Sequence, residues 1–479
     1  MVKSERNNSR ENSHGKGFCE AGARARNINA STEVSTCGEQ LSPFGGLLGL
    51  IKFLDYFDFK ETFNETYTAP GREPKLGHYH MMLGILMLMF IGFNRIWHFI
   101  YIRLEPMLCG IMRVQKLPVA STFWRYLDSL GINQAESMLK IMSRLREQVW
   151  KRCGINYTRI AIDIDTTVET VYGHQQGGRK GHNTQNRGKK GYRPVLCFIE
   201  QTREYLLGKL RKGETISGEE TARVIRLIGR HLPQCVEKVL IRADGEFLSW
   251  QSVEAAVEEG YDIIFANKVC NPPFDQSGWY RPRKKEELEF NSCIYQPAGW
   301  ERPFRFVSMR IPKKQAPGSQ SEIFAEDLYT HRIFCTTLDG RAHEVIETYD
   351  KRADVENLLG EAKREGLAAI PSDKFKNNYA FFQAVMMAYN IWRYFKMLAQ
   401  LSAGRKPGAD EGFKTLQDNT IRIARLKLLM IAAKLVRSGN RDQVRYSIHD
   451  SRTPGLLKFY GFLDKLRAEK LSAMAFNNS

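Results

Sequence analysis

Apolar and polar residues alternate from Arg159 to Thr167: Ile160, Ile162 and Ile164 interleave with Ala161, Asp163 and Asp165. A period of two predicts a β-strand. It places Asp163 and Asp165 on one face, about 6.8 Å apart by strand rise. The strand ends in Asp165-Thr166-Thr167 and so delivers a carboxylate to a sheet edge. A second short apolar strand, Val239-Leu240-Ile241, runs into Arg242-Ala243-Asp244-Gly245. Further strands are predicted over 192–200, 204–210, 263–266 and 331–337, with helices over 219–232 and 252–259. Strands alternating with helices predict an α/β fold.

Tyr349 to Lys363 follows a helical period. At about 100° per residue, Val355, Leu358, Leu359 and Ala362 fall between about 180° and 280° from Tyr349, where a core-facing stripe belongs. Arg352, Glu356 and Lys363 fall at about 300°, 340° and 320°. With Tyr349 they form one strip beside that stripe, which reads Y-x2-R-x3-E-x6-K. Taken alone, this spacing fits a solvated face with salt bridges between turns. A long apolar helix follows over 381–398, and 421–435 reads as an amphipathic helix carrying Arg422, Arg425, Lys427 and Lys434.

Residues 46–150 also read as helical. Met81–Gly92 is an apolar run of twelve residues, short of the roughly 20 that span a bilayer, and it predicts a buried helix. Ser121 is placed to cap a helix over 121–126. Two readings of this region stand: a helix-turn-helix that reads DNA ends, or a helical subdomain packed on the core. Residues 1–40 are rich in Asn, Ser, Gly, Arg and Glu, a composition that predicts disorder. No apolar leader opens the chain.

The 479 residues are 43% hydrophobic, enough for a substantial core, and carry a net charge of +18. Such a surplus calls for an anionic partner. Much of it is local. Residues 177–193 hold Arg179, Lys180, Arg187, Lys189, Lys190 and Arg193 with no acid, a loop that suits backbone phosphates or simply water. Its glycines match no nucleotide-binding fingerprint, so no nucleotide cofactor is expected. Nine cysteines without a CxxC pair fit a reducing compartment and no zinc ribbon.

Three carboxylates stand out: Asp165, Asp244 and Glu356. Each aspartate alone also fits a turn or a cap. Asp163 is two residues from the first and Glu246 two from the second; the Gly245 break favours Asp244. Oxygen-only ligands suit Mg²⁺ or Mn²⁺, and a pair of such ions clamps an in-line phosphoryl displacement.

On these residues the chain resembles bacterial insertion-sequence DDE transposases of the Y-R-E-K signature group. The matching positions are Asp165-Thr166-Thr167, Arg242-Ala243-Asp244-Gly245, and Tyr349, Arg352, Glu356 and Lys363, with Asn377-Asn378-Tyr379 to Ala388-Tyr389-Asn390 similar to the group's following helix. The resemblance implies an α/β, RNase H-like mixed sheet flanked by helices, with a β-rich insertion and a helical N-terminal domain. It implies metal-dependent cleavage at transposon ends and 3′-OH strand transfer, with two Mg²⁺ ions (Mn²⁺ able to substitute) on Asp165, Asp244 and Glu356. Tyr349, Arg352 and Lys363 would contact the DNA end.

The implied organisation is a polar tail (1–45), a helical end-binding domain (46–150), a catalytic domain (155–266 and 329–400), an insertion (267–328) and a basic helical C-terminal region (415–479). Trp279 and Trp300 in the insertion are candidates to stack on an unpaired base, with ordinary packing as the other reading. The implied partners are double-stranded DNA, as terminal inverted repeats and target, and a second copy of the chain in a synaptic homodimer. No membrane is implied, and the location is cytoplasmic, at the bacterial nucleoid. An RNase H-fold nuclease or resolvase without strand transfer, and a domesticated DNA-binding protein, share these features.

Overall fold

The computed structural model describes residues 26, 28–181, 186–283, 287–312, 329–404 and 411–477. These form two compact units. The larger comprises Phe57–Ile100 and Pro118–Leu398. Its centre is a sheet of eight strands: β1 (Arg159–Thr166), β2 (Val195–Ile199), β3 (Glu204–Lys209), β4 (Lys238–Ala243), β5 (Asp262–Ala266), β6 (Glu289–Tyr295), β7 (Phe304–Pro312) and β8 (Tyr329–Thr336). The spatial order is β6-β7-β8-β5-β4-β1-β2-β3.

β1, β2 and β3 form an antiparallel meander. β4 then pairs parallel with β1, and β5 parallel with β4. Parallel neighbours need crossover connections, supplied by helices α2 (Gly218–Ile228) and α3 (Trp250–Glu258). Both helices start at serine caps, Ser217 and Ser249, whose side chains accept from the amides of Glu220 and Ser252. A meander extended by two parallel strands is the RNase H-like arrangement that the resemblance implies.

Earlier in the chain, helix α1 (Ile132–Cys153) leads into this sheet. The edge at β3 is covered. Asn390, on the long helix α6 (Phe375–Ala403), accepts from the Tyr205 amide at 2.9 Å and donates to the Tyr205 carbonyl at 2.7 Å. Gln383 donates to the Gly208 carbonyl at 2.9 Å. Side-chain amides thus satisfy an edge that would otherwise invite another strand. Beneath it, fully buried Glu204 accepts from Arg146 Nε at 2.9 Å and Trp150 Nε1 at 2.7 Å, both on α1, and from the Tyr394 hydroxyl of α6.

The strands between the second aspartate and the glutamate extend the same sheet. β6, β7 and β8 pair antiparallel in turn, and β8 joins β5. One face packs Phe290, Val307, Met309 and Phe334 against Ala342, Val345 and Ile346 of helix α4 (Ala342–Asp350). Residues 284–286 and 313–328 of the expected insertion lie outside the described residues.

Three sequence expectations need correction. The signature stretch is not one helix: α4 ends at Asp350, a 3₁₀ turn covers Lys351–Ala353, α5 spans Asp354–Ala362, and a π turn covers Lys363–Leu367. A uniform 100° count therefore fails across it. The helix expected over 421–435 stops at Leu428, and Ala433–Ser438 pairs with Arg441–Tyr446 as a hairpin. Its turn residues Gly439 and Asn440 both have positive φ (55° and 60°), as a type I′ turn requires. The Ser121 cap is displaced to Val119, which offers no side-chain bond.

That hairpin belongs to the smaller unit, which takes in the described residues up to Tyr56, Tyr101–Leu117 and the chain from Ala399 onward. Gln40–Ser42, within the expected tail, forms the third strand of its sheet; residues 1–25, 27 and 405–410 lie outside the described residues. Gly46 is required here, because a Cβ would sit 1.9 Å from the Leu428 carbonyl oxygen. Helix Leu47–Tyr56 is tied to helix Thr453–Asn477 by Arg467–Asp55 at 2.9 Å and by Lys52–Asp464.

Met81–Phe90 are buried in the larger unit within helix Gly77–Phe90. No described helix is long and apolar enough to cross a membrane. The described cysteines are all free.

Candidate active site

The parallel register of β1 and β4 builds the site. Asp163 lies opposite Arg242, and Ile164 opposite Ala243. One residue further, Asp165 and Asp244 leave the two strand ends side by side, at neighbouring positions about 4.8 Å apart by strand spacing. Asp165 accepts the Thr166 amide on Oδ1 at 2.8 Å. Its Oδ2 lies 3.0 Å from Arg352 Nη2. Asp244 accepts the Glu246 amide on Oδ1 at 3.1 Å. Glu356 is exposed in the first turn of α5.

Burial pushes the Asp165 carboxyl up to about 6; Arg352 opposes this, while Asp244 and Glu356 raise it further. Asp165 therefore feels the charges of both Asp244 and Glu356. The donor set of the three acids is all oxygen and their charges are only partly balanced by one guanidinium, which fits a hard divalent cation. Among the described residues no group of three or more histidines, cysteines, aspartates or glutamates stands close enough together to hold a metal ion.

Asp163 has a different environment. It is 3% exposed and accepts two bonds from Arg242, at 2.7 and 2.9 Å. Arg242, fully buried, also reaches Glu200 at 3.1 Å and donates to the Thr348 carbonyl at 2.8 Å. Asp163 is thus committed to an internal ion pair. Glu246 is likewise engaged: it pairs with Arg193 and accepts from Thr166 Oγ1 at 3.3 Å and the Ile216 amide at 3.2 Å. The sequence reading gave Arg193 and Glu246 no joint role. It also missed the Asp163–Arg242 pair, although both residues stand two positions before a key aspartate.

The signature residues gather behind the strand end. Arg352 is 9% exposed and donates to the Ile164 carbonyl at 3.0 Å as well as meeting Asp165. Lys363 donates to the Val168 carbonyl at 3.1 Å and lies 3.6 Å from Glu169, whose carboxyl burial pushes up to about 7. Tyr349 is half-buried, its ring 4.5 Å from Phe334. Arg352 and Lys363 thus both buttress the segment that carries Asp165.

The basic loop is a small sheet: Arg179–Lys180 pairs with Lys190–Tyr192, which pairs with Glu169–Thr170. Arg179, Lys180, Lys189 and Lys190 are exposed, and Arg179 pairs with Glu214; residues 182–185 lie outside the described residues. Trp279 is half-buried under the Arg310 guanidinium, 4.1 Å from its ring. Trp300 is 8% exposed, packed by Phe304 at 5.5 Å and Trp250 at 5.9 Å. In this conformation Trp300 has no open face for a base.

Residues 25–468 match the family described as Transposase DDE domain group 1. The chain belongs to this family of DDE transposases. It is a DNA transposase, of a family of nucleases and transesterases that generally use divalent metal ions. No curated protein matches the transposase by sequence. Among solved structures it is similar to a piggyBac transposase synaptic complex with hairpin DNA, at 12% identity and a TM-score of 0.41, over 80% of this chain and 81% of that one. It is also similar to a Mos1 transposase paired-end complex with the left transposon end, at 11% identity and a TM-score of 0.17, over 40% of this chain and 60% of that one.

Proposed function

We propose that Asp165, Asp244 and Glu356 hold two Mg²⁺ ions and that the transposase uses them to cleave transposon ends and join the freed 3′-OH to target DNA. The observation that carries this reading is the β1–β4 register, which ends with Ile164 opposite Ala243, one residue before Asp165 and Asp244, while the charge of Glu356 helps to raise the Asp165 carboxyl. When bound, the ions supply Lewis acidity to the phosphoryl oxygens and lower the pKa of an attacking water. Mn²⁺, with similar oxygen preference, would substitute.

The chain's own residues bind and orient. Arg352 holds Asp165 in place and carries charge toward the terminal phosphate. Lys363 and Tyr349 border the same end. Arg179, Lys180, Lys189 and Lys190 line a hairpin of the small sheet whose first strand begins four residues after Asp165, and they track the duplex backbone without reading bases. The half-buried Trp279 is the stronger of the two tryptophans for stacking on an unpaired base. Pairing two ends calls for two protomers in the active complex.

The direct test is to incubate the full chain with a duplex of the element's own terminus and Mg²⁺ or EDTA. A nick at the element boundary and a strand-joined product, both with Mg²⁺ only, are expected. Nicking without joining would reduce the protein to a hydrolase. A salt titration tests the hairpin: log affinity should fall linearly with log salt, and each lysine changed to Ala should lessen the slope by about 0.9. A slope unchanged by all three lysine changes would remove the hairpin from the DNA path.

A further inference from the structure

Residues that the carboxylate reading does not use form a closed ring beside Asp165 and Asp244. The Thr166 amide donates to Asp165 Oδ1 at 2.8 Å, and the Glu246 amide donates to Asp244 Oδ1 at 3.1 Å. The side chains of these two donor residues meet: Thr166 Oγ1 donates to Glu246 Oε2 at 3.3 Å. Arg193 closes the ring from the segment between the basic hairpin and β2. Its Nε donates to Thr166 Oγ1 at 3.3 Å and its Nη2 pairs with Glu246 Oε2. Glu246 Oε1 accepts the Ile216 amide at 3.2 Å, which anchors the carboxylate from a third element. The Arg193 and Glu246 side chains are each 12% exposed, so the pair is largely shielded from water. Arg193 is itself held, its amide donating to the Arg211 carbonyl at 3.1 Å.

We infer that Arg193 and Glu246 are positioning residues: they clamp the loops after β1 and β4 together and so set the separation of Asp165 and Asp244 for metal binding. The inference rests on the reading that those two aspartates hold the metal. The physical reason is that like-charged carboxylates at neighbouring strand ends repel one another and drift apart unless their backbones are fixed. Outer contacts of this kind keep ligands at the spacing a cation needs. A planar guanidinium is the group that can bridge a hydroxyl and a carboxylate at once; a lysine ammonium cannot hold that fork. The arrangement also places the clamp at the root of the basic hairpin, one residue beyond its Lys190–Tyr192 strand and two before β2.

The test measures Mn²⁺ binding to the full-length protein by the electron paramagnetic resonance signal of free Mn²⁺, without DNA and without turnover. Arg193→Ala and Glu246→Gln are each expected to weaken Mn²⁺ binding about tenfold or more. The double variant should be no weaker than the worse single one, because both changes open the same ring. Arg193→Lys should recover only part of the loss. The Mg²⁺ needed for half-maximal end cleavage should rise by a similar factor. Asp165→Asn serves as the reference and should lose most of the binding.

Variants that unfold earlier on heating, yet bind Mn²⁺ when folded as tightly as the parent does, would show a purely structural pair and overturn the inference. If Asp165→Asn also bound Mn²⁺ like the parent, the metal reading of that aspartate would fall first and the clamp with it. The reference arm separates the two failures.

Discussion

Asp165→Asn, Asp244→Asn and Glu356→Gln are each expected to lower end cleavage by roughly a thousandfold, while binding to the transposon end stays within about twofold of the parent. The size follows from the several kcal/mol of charge stabilisation that a metal supplies in a phosphoryl displacement, at about 1.4 kcal/mol per factor of ten. Each change keeps the side chain's shape and removes one negative charge. Glu356 is exposed on α5, and an Asn at 165 keeps an acceptor for Arg352, so the variants are expected to fold. Removing an anion from a site that approaches DNA does not weaken the electrostatic attraction for phosphates. Gel-shift affinity and product mapping on the same preparations check both halves. Near-normal cleavage by any one variant would take that residue out of the site.

Arg242→Met is expected to cost about 3–5 kcal/mol of stability, because it leaves Asp163 as a buried carboxylate without its partner. Arg242 is fully buried and Asp163 is 3% exposed, and the guanidinium also joins Glu200 of the sheet layer to the Thr348 carbonyl of α4. Urea unfolding followed by tryptophan fluorescence would show the midpoint falling. Asp163→Asn is milder, since an amide still accepts one of the two bonds, and folded Asp163→Asn protein should retain cleavage that Asp165→Asn lacks. That contrast separates the two neighbouring aspartates by function, as burial separates them in space. An Asp163→Asn variant that folds normally and yet is as inactive as Asp165→Asn would reverse the assignment.

The strand-borne acids were legible in the sequence because an apolar strand that ends in Asp has few other uses at two places in one chain. Asp163 and Asp165 could not be told apart there, because strand alternation puts both on one face. Only the partner strand, which brings Arg242 opposite Asp163 and leaves Asp165 one step beyond, distinguishes them. Tyr349, Arg352, Glu356 and Lys363 share a helical phase and so predict one continuous helix; the 3₁₀ turn at Lys351–Ala353 shifts that phase. The hairpin at Gly439-Asn440 carried a strong local turn signal, but the basic and apolar spacing of Ile421–Leu428 was extended past Leu429 and masked it. The Arg193–Glu246 ring had no sequence signal at all, since its members come from segments 27, 53 and 80 residues apart.

The position of the bound metal can be read directly. Replacing Mg²⁺ by Fe²⁺ with ascorbate and peroxide generates hydroxyl radicals at the bound ion, and mass spectrometry of the cut chain reads the position. Cuts near residues 165, 244 and 356, suppressed by added Mg²⁺, are the predicted result. Mg²⁺-sensitive cuts that cluster elsewhere and spare all three segments would contradict it.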